Sequence, residues 1–472
     1  MATRLQIVLS KASKKTTPSL NKRKHILALA EKLKRRVEEA ARKAELDVEV
    51  RVEGSVAKNT WLREAPDIDI FIRVPPSTPR ESFGTTYLNI AKEATRDAEQ
   101  VERFAEHPYL EAFLDETRVN IVPCYRVEKG EWKSATDRTP YHTDYVKPLL
   151  NEKLCSEVRL LKRFMKGTSV YGAEIKVGGF SGYLCELLIL FYGSFQKVLK
   201  ASADWNPRTF IDPEGCYKGR ERELGIIFKE PLIIVDPVDK GRNAASAVSS
   251  ERLGEFIAAS RAFLKKPDMP FFYPPETKSY ASKTLLRAMK NRGTSWVFIQ
   301  FGDVGAVPDI LWGQLYRSKR SLGKLLGIHD FEVVQNAVWS DEKTLNLFLM
   351  EVEQRFLPPL KKHLGPPLEK KAECEEFLKK HVVSAHTLSG PRVEDGRWIV
   401  GVKRKYTDVA ALLRDKLNGG ERNAGMAELV CKALERGFKV MVNEEILPTY
   451  TKSREFAKFL TEYVEGKPKW LA

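Results

Sequence analysis

Along residues 48–53 apolar and charged side chains alternate, with Val48, Val50 and Val52 set against Glu49, Arg51 and Glu53. This period of two predicts a strand with one buried face. The strand runs into Gly54-Ser55 and a short helical segment through Trp61, and the chain returns as Asp67-Ile68-Asp69-Ile70-Phe71-Ile72. Side chains two apart on a strand share a face, so Asp67 and Asp69 are expected to project together into solvent while Ile68 and Ile70 enter the core. Upstream, Ile26, Leu29, Leu33, Val37 and Ala41 recur at helical spacing behind Thr17-Pro18-Ser19, with Pro18 suited to the first helical position.

Residues 84–104, 152–166 and 180–200 read as helices, the last largely buried, and residues 119–125 as a strand stopped by Pro123. A composition shift from Lys265-Lys266-Pro267 to Pro274-Pro275 marks a boundary. Beyond it, residues 296–301, 308–326, 331–339 and 345–352 read as strand, helix, strand, strand. That order favours an α+β module of ferredoxin-like or RNA-recognition type. Asp395-Gly396 is a hairpin turn by composition, and from Asp408 the chain is expected to be mainly helical.

At 472 residues the chain exceeds one ordinary core and implies roughly two to four domains. We divide it into residues 1–150, 151–270 and 271–472. Lys and Arg number 79 against 63 Asp and Glu, a formal charge of +16 that favours a polyanionic partner, nucleic acid first. The apolar run at residues 183–195 contains Glu186 and is too short to span a bilayer, so a buried helix and no membrane partner are expected. Six widely separated cysteines, without Cys-x-x-Cys or zinc spacing, are expected to be reduced cytoplasmic thiols.

The chemistry concentrates between residues 54 and 69. Gly54 lets the backbone turn sharply and approach a ligand, and the Ser55 hydroxyl with the following amides can bond phosphate oxygens. Asp67 and Asp69 offer paired oxygen ligands of the kind Mg²⁺ takes together with substrate phosphates. Two such ions could activate an attacking hydroxyl and neutralise a leaving pyrophosphate. A Gly-Ser dipeptide alone is a turn and Asp-x-Asp alone a strand edge. Their combination, after one strand and on the next, is far more restrictive.

Residues 54–63, GSVAKNTWLR, followed by Asp67-Ile68-Asp69, closely resemble the archaeal class I CCA-adding enzymes, the tRNA nucleotidyltransferases. The likeness continues in family order through Glu106-His107-Pro108-Tyr109, Val122-Pro123-Cys124-Tyr125, residues 137–142, Val158-Arg159-Leu160-Leu161-Lys162, Tyr171-Gly172-Ala173-Glu174, residues 179–188 and residues 235–239. The resemblance implies a multidomain α/β and α+β protein: a DNA polymerase beta-like nucleotidyltransferase head, a helical nucleotide-binding middle, and an RNA-recognition or ferredoxin-like module with a helical tail. It implies addition of C, C and A to the 3′ end of tRNA from CTP and ATP with Mg²⁺, contacts to the tRNA acceptor arm, and a cytoplasmic enzyme for which a homodimer stays open.

By the same resemblance Asp67 and Asp69 hold metal and Ser55 with Lys58 holds the triphosphate. His142, Lys162 and Tyr171 meet the sugar and phosphates, and Arg242 helps read the base. Two positions depart from the family pattern. Lys58 stands where arginine is common, keeping charge and losing the bidentate fork. Asn120 stands where a third catalytic, metal-holding aspartate is expected, and Glu116, about four residues upstream and roughly 13 Å along an extended strand, cannot simply replace it. A related poly(A) polymerase or oligoadenylate synthetase-like transferase, and a catalytically silent tRNA-binding protein, are the alternatives.

Overall fold

The computed structural model describes residues 3–64, 66–104, 106–114, 117–418 and 425–471. Glu116 lies outside the described residues. The chain divides into two compact units, the first running to Glu276 and resuming at Pro468, the second spanning Thr277–Lys467.

The first unit opens with α1 (Arg4–Thr16), a helix the polar amino terminus did not announce, started by a reciprocal Thr3 and Gln6 capping box. In α2 (Leu20–Lys43) the expected stripe of Ile26, Leu29, Leu33, Val37 and Ala41 is buried. Its cap is Ser19, whose side chain accepts the Lys22 amide, so Pro18 falls before the helix and not at its first position. Next come β1 (Glu49–Glu53), α3 (Gly54–Ala57), β2 (Asp67–Val74), α4 (Thr86–Ala94), β3 (Glu99–Phe104), β4 (Pro108–Leu114) and β5 (Thr117–Tyr125). The strands form one sheet in the order β1-β2-β5-β4-β3, with β2 and β5 parallel and the other pairs antiparallel. Ile68, Ile70, Val119 and Ile121 point from it into a core shared with α2 and α4.

Three local expectations need correction. The helical turn after Gly54 stops at Ala57, because Asn59 takes a left-handed φ of 54°, and does not reach Trp61. Residues 84–104 are not one helix: α4 ends where Thr95 bonds back to the Ala91 carbonyl and Gln100 takes up the carbonyls of Lys92 and Thr95, and the charged residues beyond form the edge strand β3. Pro123 lies inside β5 and does not stop it. The β4 register ends at Leu110 opposite Ile121, so at Pro123 the strand has a neighbour on one side alone.

The unit continues with α5 (Arg138–Leu149), α6 (Glu152–Gly167), α7 (Gly182–Tyr192), α8 (Phe195–Ala203), β6 (Thr209–Ile211), α9 (Glu221–Ile227), β7 (Leu232–Ile234) and α10 (Ser250–Lys265). The helix expected over 180–200 is two helices, broken at Gly193 with φ 83° and restarted by the Ser194 cap. Phe164 meets Phe195, Phe263 and Phe272 edge to face at 5.5, 5.5 and 5.7 Å in the core of these helices.

The second unit contains α11 (Ser282–Lys290), β8 (Ser295–Phe301), α12 (Pro308–Ile328), β9 (Val333–Ser340), β10 (Asn346–Val352), β11 (Leu360–Pro367), α13 (Lys371–His381), β12 (Thr387–Glu394), β13 (Arg397–Lys403), α14 (Val409–Leu417), α15 (Glu428–Glu435), β14 (Phe438–Val442), α16 (Leu447–Lys452) and α17 (Arg454–Glu465). Strand order β14-β8-β10-β9, all antiparallel, gives the β-α-β-β-α-β arrangement of a ferredoxin-like module. A separate sheet, β11-β13-β12, is inserted after β10. Its hairpin turns at Asp395 and Gly396, both with positive φ (49° and 72°), as the dipeptide predicted. The tail is mainly helical, except that β14 adds an edge strand beside β8. Among the described residues all six cysteines are free, and no helix is long and apolar enough to cross a membrane.

Candidate active site

The sheet of the first unit sets two carboxylates side by side with two residues of the neighbouring strand. In the parallel β2–β5 ladder Asp67 lies opposite Arg118 and Asp69 opposite Asn120. Arg118 forks Asp67, Nε to Oδ1 at 3.0 Å and Nη2 to Oδ2 at 2.7 Å, and Asn120 Nδ2 donates to Asp69 Oδ1 at 2.9 Å. The two aspartates are thus half-buried and partnered, where open projection into solvent was expected. Burial raises the Asp69 carboxyl to about 6, an effect the Asn120 hydrogen bond only partly offsets. Gly54, with φ 68°, closes over this carboxylate, and a Cβ there would overlap Asp69 Oδ2. Ser55 follows, half-buried, in α3.

Glu53, read from the alternation as a polar-face residue, is 0% exposed. It lies opposite Asp69 in the β1–β2 ladder, with Arg51 Nε 2.8 Å from its Oε1 but without hydrogen-bond geometry. Burial pushes its carboxyl up to about 7. Among the described residues no group of three or more His, Cys, Asp or Glu side chains is arranged to hold a metal ion.

A second cluster gathers around Glu186 of α7, which is 1% exposed. Lys58 Nζ reaches its Oε2 at 2.5 Å, while Lys162 Nζ from α6 and the Thr60 hydroxyl reach Oε1 at 3.1 and 2.5 Å. Burial alone would raise this carboxyl, but the two lysines and the Thr60 bond outweigh it and hold Glu186 down to about 2. Gly182 keeps the adjoining space open, since a Cβ there would sit 3.1 Å from the Tyr171 hydroxyl and 3.4 Å from Lys162 Nζ. One turn of α6 away, buried Arg159 binds the carbonyls of Asn59 and Trp61 and so pins the loop between Lys58 and Asp67.

The third cluster centres on Asp236, just beyond β7. His142 Nε2 lies 3.0 Å from Oδ2, Arg242 Nη1 donates to Oδ2 at 2.6 Å, and the Tyr183 hydroxyl and Val238 amide donate to Oδ1 at 2.9 and 3.0 Å. Burial opposes the charge, but His142, the Val238 amide and Arg242 outweigh it and hold Asp236 below the usual carboxylate range. Burial also lowers the His142 pKa. His142 stacks on Tyr183 at 4.0 Å, and Lys58 stands 5.7 Å from the same ring, joining this cluster to that of Glu186.

The residues singled out from sequence therefore fall into three connected groups: Gly54, Ser55, Asp67, Asp69 and Asn120 on the sheet; Lys58, Lys162 and Tyr171 near Glu186; His142 and Arg242 on Asp236. Sequence reasoning missed the organising carboxylates. Glu186 showed as a charge interrupting an apolar run, itself a signal that a buried cation faces it, and both Glu186 and Asp236 lay inside the matched motif segments without being given a role. Thr60 and Tyr183 also lay in those segments unassigned, and Arg118 carried no signal of its own.

Three family models match in succession: a nucleotidyltransferase domain over residues 31–142, the second domain of tRNA nucleotidyltransferase over 156–273, and the C-terminal domain of CCA-adding enzyme over 292–443. The CCA-adding enzyme of Methanosarcina mazei is 37% identical over 453 residues, covering 95% of this chain and 96% of its own. The chain belongs to the CCA-adding enzyme family. The CCA-adding enzymes of Pyrobaculum aerophilum (39% over 427 residues, 88% and 94% covered) and Methanothermobacter thermautotrophicus (34% over 450 residues, 95% of each) are similar across nearly the same span. Membership in this family of nucleotidyltransferases matches the fold expected from the motifs and covers both units.

Proposed function

We propose that this chain adds C, C and A to the 3′ end of tRNA from CTP and ATP without a nucleic-acid template. The observation that carries the reading is the shared strand face of Asp67 and Asp69, with Asp69 beneath the Gly54 turn, together with the convergence of Lys58 and Lys162 on Glu186. In the reaction the tRNA 3′-oxygen attacks the α-phosphorus, the bond to the β-phosphate bridge breaks, and pyrophosphate leaves as the hydroxyl proton passes to solvent.

Two carboxylates on one strand face are hard oxygen donors of the kind a hard divalent cation takes, and Asp69 is the one Mg²⁺ reaches without displacing a charged partner, since Arg118 forks Asp67. When bound, Mg²⁺ would lower the pKa of the acceptor hydroxyl and offset charge on the phosphates. Ser55 and Lys58 take the triphosphate, with Lys162 and Tyr171 beside it, and His142 orients the ribose. Arg242, held by Asp236, presents its remaining donors to a base edge. Catalysis by these residues is positioning and electrostatics. Residues 1–150 supply the catalytic head, 151–270 the nucleotide-binding middle and 271–472 the RNA-binding module. The charge of +16 suits a tRNA acceptor arm gripped through phosphates. A cytoplasmic location alongside tRNA belongs to the same proposal, and membership of the CCA-adding enzyme family supports it.

The test is end-labelling of tRNA lacking its CCA end, with each nucleotide offered separately and together. Ordered addition that stops after C, C and A is the expected result. Open-ended A tracts would replace the reading with a poly(A) polymerase. Persistent tRNA binding without incorporation at high Mg²⁺ or Mn²⁺ would replace it with a silent RNA-binding protein, the reading that Asn120 favours.

A further inference from the structure

We propose that Arg118 stands in for one of the two divalent cations used in nucleotidyl transfer, so that this chain's own residues hold a single metal ion, on Asp69. The inference rests on the nucleotidyl-transfer reading and deepens it.

The β2–β5 ladder pairs eight residues without a break, from Asp67 opposite Arg118 to Val74 opposite Tyr125. Arg118 and Asn120 therefore share the face of Asp67 and Asp69 by backbone register, whatever the side chains do. Both oxygens of Asp67 are taken by the guanidinium fork, at 3.0 and 2.7 Å. A cation approaching Asp67 would have to displace a bidentate charged pair, the strongest hydrogen-bond geometry a carboxylate accepts.

Arg118 is also anchored from its other side. Glu111 of β4, opposite Asn120 in the next ladder and 5% exposed, sets its Oε2 3.7 Å from Arg118 Nη1. Glu111 Oε1 is itself held by Arg103 at 2.7 Å, so Glu111 serves the arginines and is not free to supply a third metal-holding carboxylate. At Asp69 the arrangement differs. Asn120 turns an amide N–H, not a charge, toward Oδ1, a neutral hydrogen bond that a cation displaces more readily than the Arg118 fork, while Oδ2 packs against the Gly54 backbone.

The charge on the face follows. Asp67 and Asp69 contribute −2 and Arg118 returns +1, leaving −1 where two divalent cations would bring +4. Among the described residues no third His, Cys, Asp or Glu completes a cluster able to hold a metal. A guanidinium in that place neutralises phosphate charge permanently, without a dependence on metal concentration.

The experiment counts Mn²⁺ by electron paramagnetic resonance on the full chain bound to a CTP analogue whose α–β bridge cannot be cleaved. The expected count is one Mn²⁺ per nucleotide-bound chain. The Arg118→Gln, Asn120→Asp double variant should gain a second Mn²⁺ bound at least about tenfold more tightly than any second ion in the parent. Two Mn²⁺ of comparable affinity in the parent chain would overturn the proposal without reference to any variant. So would a double variant that melts normally and gains no ion. The two readings fail separately: one Mn²⁺ with no CCA addition removes the reaction and leaves Arg118 in place, whereas two Mn²⁺ with CCA addition removes only this inference.

Discussion

Gly54 and Asp69 approach so closely that residue 54 has no room for a side chain, because a Cβ there would overlap Asp69 Oδ2 and the backbone already holds φ at 68°. Gly54→Ala must therefore bear about 1–2 kcal/mol of left-handed backbone strain and also displace the carboxylate. Misplacement of a reacting group by about an ångström is enough to lower addition on the order of 10²-fold. We expect that loss in single-turnover end-labelling, with tRNA affinity nearly unchanged by filter binding. A full rate in this variant would mean that the position of Asp69 is irrelevant to the chemistry.

Glu186 is the shared partner of two buried lysines, so Glu186→Gln leaves both cations under-compensated in a dry site. Breaking a buried pair from one side costs about 3–5 kcal/mol, and the midpoint in urea should fall accordingly. In the parent, the Glu186 carboxyl is held at about 2 against an ordinary 4.5. A depressed folded-state pKa stabilises fully above the ordinary value and is lost as pH falls through the depressed one. Acid unfolding should consequently show a component between pH 4.5 and about 2 that the glutamine variant lacks. Where that variant stays folded, a raised KM for both CTP and ATP is expected, and an unchanged KM would detach Lys58 and Lys162 from the triphosphate.

Glu53 has the opposite sign. Its carboxyl is raised by burial from 4.5 to about 7, so the unfolded chain releases this proton before the folded one does. Stability from this group is present below pH 4.5 and is lost as pH rises toward about 7. Glu53→Gln removes the ionisation, and it should stabilise the protein by a few kcal/mol at pH 8 and very little at pH 4. Urea melts of both proteins at the two pH values measure it. Equal differences at pH 4 and 8 would show that the Glu53 pKa is the same in the folded and unfolded chain.

Arg242 is tied to Asp236 through one nitrogen, which leaves the rest of its planar fork for a base edge. Arg242→Ala should reduce discrimination between CTP, ATP and other nucleotides by about 10-fold or more while tRNA affinity changes little. Competition assays with mixed nucleotides give the ratio of kcat/KM values. Preserved selectivity would take Arg242 out of base reading.

Residues 48–72 show how far the sequence reached. The turn at Gly54 and the shared face of Asp67 and Asp69 follow from covalent geometry and a two-residue period, which act within a few residues, and both were legible. So were the hairpin at Asp395-Gly396 and the buried stripe of α2, for the same local reason. The burial of Glu53 was not, because alternation fixes a face and cannot say that another layer will cover it. The break of the expected 180–200 helix at Gly193 was equally hidden, since an isolated glycine is tolerated in some helices and ends others. The tertiary structure alone decided the partners of the site. Lys58, Thr60, Lys162 and Glu186 are brought together from three separate segments, and Arg118 meets Asp67 across 51 positions of chain. A buried charge must find its counter-charge wherever packing delivers one, and the identity of that partner is set by strand register and helix contact, which no local pattern in the sequence encodes.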